Sequence, residues 1–186
     1  NLNAQNLTKA YFAGGCFWCM EESFENLNGV SEVVSGYSGG KTKNPTYKEV
    51  TYGDTGHFET IEVIYDSSVI SYKKLLDNFW INIDPFDEYG QFCDKGYSYR
   101  SVAFYQSKEQ KIMIEESINK IQKKFEVVKQ NKNENRRTTI WIKTTELTTD
   151  WQGSCLTDAI KTYVQKPICP SCEIYHNVTD SYWKYR

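Results

Sequence analysis

Strand-like and helix-like segments alternate along most of this 186-residue chain. Short runs rich in β-branched and aromatic residues, such as 58–66 (FETIEVIYD), alternate with longer amphipathic runs, such as 71–83 and 107–125. Chains with this alternation fold as helices layered on a sheet, so we expect a two-layer α/β or α+β sandwich. A chain of this length is long enough for a sizeable core and is expected to form one domain.

The hydrophobic pattern also predicts where each element lies. We predict strands at 9–14, 29–40, 58–66, 100–106 and 138–147, and helices at 16–27, 71–83 and 107–125. Two long segments rich in Gly, Pro, Asn and Asp, 41–57 and 84–99, are predicted to be loops. Loops of this length tend to carry function.

Composition and charge exclude several classes of protein. A net charge of −2 gives no reason to expect nucleic acid as a partner. No apolar run approaches the roughly 20 residues that span a bilayer, so we expect a soluble protein and no membrane partner. We also expect a monomer in the cytoplasm, with an exported form as the alternative because the sequence begins at Asn1 and not at Met.

The segment AGGCFWCMEE (13–22) places a cysteine where a strand turns into a helix. Unpaired backbone N–H groups and the helix dipole at a helix N-terminus stabilise a thiolate, which makes Cys16 a candidate nucleophile. Cys19 follows one helical turn later, within reach of a disulfide. The alternative is that Cys16 is a small buried hydrophobic residue, but the two glycines, the helix start and the second cysteine favour chemistry.

Two large aromatic residues, Phe17 and Trp18, lie between these cysteines. A wall of aromatic rings suits a small apolar group such as a methyl or a thioether, because sulfur packs well against rings. The alternative is that both rings belong to the core. Six cysteines with two C-x-x-C pairs, in a chain with this strand and helix pattern, indicate redox or metal chemistry and not a disulfide scaffold.

Several motifs taken together resemble the peptide methionine sulfoxide reductases of the A type. They are GGCFWCMEE (14–22), NPTYKEV (44–50), GDTGHFETI (53–61), DP…GQFCDKGYSYRS (84–101) and EIYH (173–176). The resemblance covers roughly residues 9–125 and implies an α+β fold, a sandwich whose mixed sheet is built around a ferredoxin-like βαβ core. It implies reduction of the S epimer of methionine sulfoxide, free or in oxidised proteins, without a metal or an organic cofactor.

The resemblance also assigns roles to the reacting groups. Cys16 would attack the sulfoxide sulfur, and Phe17 and Trp18 would form the pocket for the S-methyl group. Glu59, in GHFE, would supply the acid for the sulfoxide oxygen. That role requires a neutral carboxyl at pH 7, which burial among apolar groups produces.

Three further polar residues complete the expected site. The resemblance implies that Tyr47, in NPTY, and Tyr99, in YRS, donate hydrogen bonds to the sulfoxide oxygen, as the donors of an oxyanion hole do. Asp94, in CDKG, belongs to the same polar floor. Without the cysteine motif, these tyrosines would be interpreted as core and Glu59 as a surface charge.

The reaction would leave Cys16 as a sulfenic acid, which a second thiol condenses to a disulfide. Many relatives carry Gly at the position of Cys19, so we rank Cys19 first as the resolving cysteine. A C-terminal cysteine, Cys172 or Cys169, ranks second, and Cys93, which precedes Asp94, ranks third. Thioredoxin or a similar dithiol would then reduce the disulfide.

The C-terminal part departs from the family pattern. We expect one domain over residues 1–186 with a divergent segment from about 126 to 186, whose role in regeneration the motifs leave open.

Two other functions are compatible with the cysteines. The first is a general thioredoxin-like thiol–disulfide oxidoreductase that uses Cys16 and Cys19. The second is a structural zinc module, in which Cys169 and Cys172 bind the metal with His176 or with the first C-x-x-C. The oxidoreductase gives Glu59 and the tyrosines no role, and for the zinc module the two cysteine pairs are about 150 residues apart and the first pair is needed elsewhere.

Overall fold

The computed structural model describes residues 6–132 and 139–147 of the chain. Four α-helices and seven strands lie in this part, together with a short 3₁₀ helix at Tyr97–Tyr99. The strands are β1 (Leu7–Ala13), β2 (Val30–Ser38), β3 (Phe58–Asp66), β4 (Gly90–Gln91), β5 (Asp94–Lys95), β6 (Val102–Tyr105) and β7 (Lys143–Glu146). The helices are α1 (Phe17–Glu25), α2 (Tyr47–Tyr52), α3 (Tyr72–Ile81) and α4 (Lys108–Lys132).

Five of the strands form one mixed sheet in the order β2-β3-β1-β6-β7. Strand β3 runs antiparallel to both of its neighbours, so β1 and β2 are parallel to each other with β3 between them. Strand β6 is antiparallel to β1 and parallel to β7. The remaining strands, β4 and β5, form a separate antiparallel ribbon.

Side chains alternate between the two faces of this sheet, as strand geometry requires. On β1, Phe12 packs with the larger core cluster, and its ring lies 5.4 Å from Phe24 of α1 and 5.0 Å from Phe79 of α3. Ile114 of α4 belongs to the same cluster, so α1, α3 and α4 cover this helix face of the sheet. The opposite face carries a second, smaller cluster that includes Phe58.

Most of the predicted elements are confirmed, and two predicted loops are more ordered than expected. Segment 41–57 contains α2, which Thr46 and Glu49 begin with a reciprocal capping box. Segment 84–99 contains the β4–β5 ribbon and the 3₁₀ helix. Ser71 caps α3 as predicted, since its hydroxyl accepts a hydrogen bond from the backbone N–H of Lys74.

No helix in the described part of the chain is both long enough and apolar enough to cross a membrane.

Candidate active site

A glycine turn places Cys16 at the start of α1. Gly15 has a φ of +88°, and a Cβ on it would lie 2.8 Å from Cβ of Gln91. A Cβ on Gly14 would lie 2.7 Å from Cγ2 of Ile83, so the turn has no space for larger residues at either position. Cys16 follows as the N-cap residue of α1, which is the position that the sequence predicts.

The Cys16 side chain is 8% exposed and carries a thiol. Cys16 is the N-cap residue of α1 and so lies at the positive end of the helix dipole, which favours a negative charge. This is the environment in which a cysteine becomes a nucleophile.

The carboxyl of Glu59 reaches the same helix end from β3. It lies on the helix face with Ile61 because residues two apart on a strand share a side. Oε2 of Glu59 accepts a hydrogen bond of 3.2 Å from the backbone N–H of Phe17. Oε1 is buried and has no hydrogen-bond partner within the described part of the chain. The site therefore holds a buried carboxyl oxygen next to the cysteine.

Burial raises the pKa of Glu59 to about 8. The negative charge of nearby Asp94 also raises it, whereas the Phe17 amide and the neighbouring Tyr99 hydroxyl lower it. The desolvation effect is the largest, so Glu59 is mainly protonated at neutral pH. A neutral carboxyl at this position can donate its proton to a bound group.

Tyr47 and Tyr99 approach each other above this carboxyl from two different elements. Tyr47 is the first residue of α2, and Tyr99 is the last residue of the 3₁₀ helix. Their hydroxyl oxygens are 3.5 Å apart. Burial, followed by the negative charge of Glu59, raises the pKa of Tyr99, and burial also raises the pKa of Tyr47. Both hydroxyls therefore keep their protons and are available as donors.

The aromatic wall predicted from the cysteine motif surrounds the start of α1. Phe17 is 1% exposed, and its ring lies 5.6 Å from Trp18 and 6.2 Å from Tyr47. Trp18 is half-buried. The ring of Tyr37 lies 5.8 Å from Phe17, a contact that the sequence did not indicate. Tyr37 pairs with Glu59 across the β2–β3 ladder, which puts both side chains on one face.

The β4–β5 ribbon brings Asp94 toward the site and supports the glycine turn. Asp94 is half-buried, and its charge acts on Glu59. Gln91 is 1% exposed and fills the space in front of Gly15. Its amide holds the backbone of Asp84, accepting from the N–H at 2.6 Å and donating to the C=O at 2.9 Å. Gln91 was not predicted from the sequence, since its position within a polar loop gives no sign of burial.

His57 supports the loop that precedes Glu59. Its Nδ1 accepts a hydrogen bond of 3.2 Å from the backbone N–H of Gly40. That bond leaves the proton on Nε2, which donates to the C=O of Thr42 at 2.8 Å. His57 is buried and joins two loop segments, so its observed role is structural.

The resolving-cysteine candidates differ in state and exposure. Cys19 is buried and disulfide-bonded, whereas Cys93 is exposed and carries a thiol. Because Cys16 also carries a thiol, Cys16 and Cys19 are not bonded to each other in this structure. Cys169 and Cys172 lie outside the described residues. The ranking of these four cysteines stays a prediction.

The described residues contain no group of three or more His, Cys, Asp or Glu side chains placed to hold a metal ion. The cysteines and histidine of the zinc hypothesis, Cys169, Cys172 and His176, lie outside the described residues, and the hypothesis stays untested.

Replacing Glu59 by glutamine should change how stability depends on pH. Folded Glu59 keeps its proton up to about pH 8, whereas an ordinary glutamate loses it near 4.5. Between these two pH values the folded state therefore binds more protons than the unfolded state. The free energy of unfolding falls as the pH rises through this window. The glutamine of Glu59→Gln cannot titrate, so the free energy of unfolding of this variant should lack this fall. Across this pH window the unmodified chain should therefore lose on the order of a few kcal/mol of stability that the variant keeps.

Urea unfolding at several pH values from about 4 to about 9 measures the effect. Parallel pH profiles for the two chains would contradict the raised pKa of Glu59.

The chain is similar to a known protein family over most of its length. The family model described as peptide methionine sulfoxide reductase matches residues 8–167. Over 116 residues the chain is 52% identical to the peptide methionine sulfoxide reductase MsrA of Listeria monocytogenes serotype 4a (strain HCC23), covering 62% of this chain and 66% of that protein. It is 48% identical over 116 residues to MsrA of Streptococcus agalactiae serotype III (strain NEM316), covering 62% of this chain and 69% of that protein.

Solved structures show a similar fold. Methionine sulfoxide reductase A of Corynebacterium diphtheriae superposes with a TM-score of 0.68 at 23% identity, covering 90% of this chain and 80% of that one. Mxr1 from Saccharomyces cerevisiae in reduced form superposes with a TM-score of 0.64 at 25% identity, covering 89% of this chain and 90% of that one. The family match spans most of the described residues. The chain therefore belongs to the peptide methionine sulfoxide reductase family.

Proposed function

We propose that this chain reduces methionine-S-sulfoxide to methionine, either free or in oxidised proteins. The observation that carries the proposal is the buried carboxyl oxygen Oε1 of Glu59, which lacks a hydrogen-bond partner in the described part of the chain. A protonated carboxyl with an unsatisfied oxygen beside the Cys16 helix end fits a ligand that brings a strong acceptor. A sulfoxide oxygen is such an acceptor, and the sulfur that bears it is the atom that a thiolate attacks.

The first step transfers the oxygen from methionine sulfoxide to the protein. The Cys16 thiolate attacks the sulfoxide sulfur while Glu59 gives its proton to the oxygen. The oxygen then moves from the methionine sulfur to the Cys16 sulfur, so the original sulfur–oxygen bond and the sulfur–sulfur bond made in the attack both break, methionine leaves, and Cys16 holds the oxygen as a sulfenic acid. Methionine sulfoxide is reduced by two electrons, and the Cys16 sulfur is oxidised by two.

The tyrosines stabilise the oxygen during this step. Two hydroxyls 3.5 Å apart can both donate to one acceptor placed between them and Glu59. Because their pKa values are raised, they hold their protons while negative charge develops on the oxygen. Phe17 and Trp18 hold the S-methyl group on the apolar side of the same site.

A second thiol completes the cycle. The sulfenic acid of Cys16 condenses with that thiol, which releases water and forms a disulfide. Thioredoxin or a similar dithiol then reduces the disulfide by thiol–disulfide exchange. We keep Cys19 as the first candidate because it lies one helical turn from Cys16, and its present disulfide must be reduced before it can act.

The topology supports a more detailed description of the fold. Strands β1 and β2 are parallel, α1 joins them, and β3 lies between them, which is the split βαβ arrangement of ferredoxin-like folds. We infer that the reductase is built on such a core and acts as a single-domain monomer.

The rival function, a general thiol–disulfide oxidoreductase, is not favoured. It would need Cys16 and Cys19 but would leave Glu59, Tyr47 and Tyr99 without a task. The family match also points to sulfoxide reduction.

Single-turnover formation of methionine from its S-sulfoxide tests the proposal. Cys16→Ser should form no methionine, because the hydroxyl is a far weaker nucleophile. Glu59→Gln should slow the step by about 10² to 10⁴-fold, since it removes the general acid. The matched control is Glu62→Gln, which changes a buried glutamate of the same strand that bonds Tyr11 and Lys9 on the opposite face. Wild-type rates in Glu59→Gln, or loss of activity only in the control, would contradict the proposal.

Mass mapping of the disulfide identifies the resolving thiol. The fully reduced chain is given one equivalent of methionine-S-sulfoxide, quenched with acid and digested. We expect a bond between Cys16 and Cys19, because Cys19 is near in the helix. A bond from Cys16 to Cys172, Cys169 or Cys93, with Cys19 left as a thiol, would overturn this ranking.

A further inference from the structure

A cavity lies beside Phe58, whose side chain is on the sheet face opposite the helices. It has a volume of about 340 Å³, which is within the range of small-molecule sites. Its walls include Phe58, Tyr97, Arg100, Ser101, Trp141 and Lys143. None of the described residues that line it belongs to the site around Cys16. The cavity therefore requires its own explanation.

Two stacked aromatic rings, each with a cation beside it, form one wall of this cavity. The rings of Phe58 and Tyr97 stack with centroids 4.8 Å apart. The Arg100 guanidinium lies 5.2 Å from the Tyr97 ring, and Nζ of Lys143 lies 5.3 Å from the Phe58 ring. Cations held over rings keep their charge while their positions are restrained. The wall thus presents two positive charges beside apolar surface.

Within residues 6–132 and 139–147, these two cations have no carboxylate partner. Among the described residues, no Asp or Glu forms a salt bridge with Arg100 or Lys143. Glu88 is the one acidic side chain that the structure places in the lining, and it offsets one of the two charges. The cavity wall keeps an excess of positive charge, which favours an anion.

Ser101 supplies a polar group that has no hydrogen-bond partner among the described residues. It is 2% exposed, and its Oγ is buried without a hydrogen-bond partner in the described part of the chain. Nε of Arg100 is likewise buried without a partner there. The backbone is well anchored at this point, since the C=O of Ser101 accepts a hydrogen bond of 3.2 Å from the N–H of Lys143. Buried donors without acceptors cost stability, so their presence in a cavity wall points to a ligand that accepts.

We propose that this cavity binds an organic carboxylate that carries an apolar body. The carboxylate accepts hydrogen bonds from Ser101 and Arg100 and is attracted by Lys143, and the apolar part rests on the exposed rings of Tyr97 and Trp141. The same chemistry occurs in a free aromatic acid and in a glutamate beside an aromatic residue of a peptide. The inference does not depend on the proposed reductase activity.

Calorimetric titration of the full chain with 3-phenylpropionate tests the site directly. This acid should bind with a Kd of about a millimolar or below, as expected for a ligand of this size. The neutral isostere 3-phenylpropanamide should bind at least about tenfold more weakly, because it lacks the charge. Equal affinities for the acid and the amide, or no binding of either, would overturn the proposal.

Two variants locate the binding. Ser101→Ala and Lys143→Met should each weaken 3-phenylpropionate binding about tenfold. The matched control is Lys111→Met, because Lys111 lies 5.6 Å over the ring of Tyr105, outside the cavity lining. Unchanged affinity in both cavity variants, or an equal loss in the control, would show that the acid binds elsewhere.

Thermal unfolding separates lost binding from lost folding. The Ser101 hydroxyl makes no hydrogen bond with the described residues, so Ser101→Ala should keep or slightly raise the Tm. A clear fall in the Tm would show that the hydroxyl serves the fold, and it would overturn its assignment to a ligand.

Amidated pentapeptides distinguish the source of the carboxylate. One peptide carries Phe-Glu and its matched control carries Phe-Gln, so that only the side-chain charge differs. Tighter binding of the Phe-Glu peptide than of 3-phenylpropionate identifies a protein segment as the ligand, whereas weaker binding identifies a free acid. Equal binding of the two peptides, with no preference for the acid over 3-phenylpropanamide, would contradict carboxylate recognition.

Discussion

The site depends on a carboxyl group that is buried against the N-terminus of a helix. The Phe17 amide, which donates to Glu59, favours the ionised form, as does the dipole of α1. Burial opposes both and prevails, so the pKa of Glu59 rises to about 8 and its proton remains in place at neutral pH. Cys16 lies at the same helix end, where a thiolate is favoured. One helix terminus therefore brings together a protonated acid and a cysteine placed for nucleophilic attack.

The sheet and the turns around it maintain this arrangement. Strand β1 delivers Cys16 through a glycine turn whose space Gln91 and Ile83 fill. Strand β3, beside β1, presents Glu59 on the helix face, and the antiparallel register sets Glu59 opposite Tyr37. The hydroxyls of Tyr47 and Tyr99 arrive from α2 and the 3₁₀ helix. Each group is held by a different element, so the site exists only once the sheet and its loops have assembled.

The sequence predicted much of this, because local pattern determines the elements. Strand 58–66 was predicted with the bounds that the structure has, and Cys16 and Ser71 begin their helices as expected. Helix α2 was missed because a segment rich in Gly, Pro and Asn obscured the capping box at Thr46. Burial of Gln91 and the cavity beside Phe58 follow from contacts between distant segments, which no local pattern encodes.

The protonation state of Glu59 is the central claim, and it can be measured directly. The chain is labelled with ¹³C at the side-chain carboxyl of glutamate, and its resonances are followed by NMR as the pH is raised. The Glu59 signal is assigned from its absence in Glu59→Gln. We predict a titration midpoint near pH 8, well above the ordinary glutamate value of 4.5. A midpoint near 4.5 would mean that Glu59 is ionised at neutral pH, and it would contradict its role as the acid.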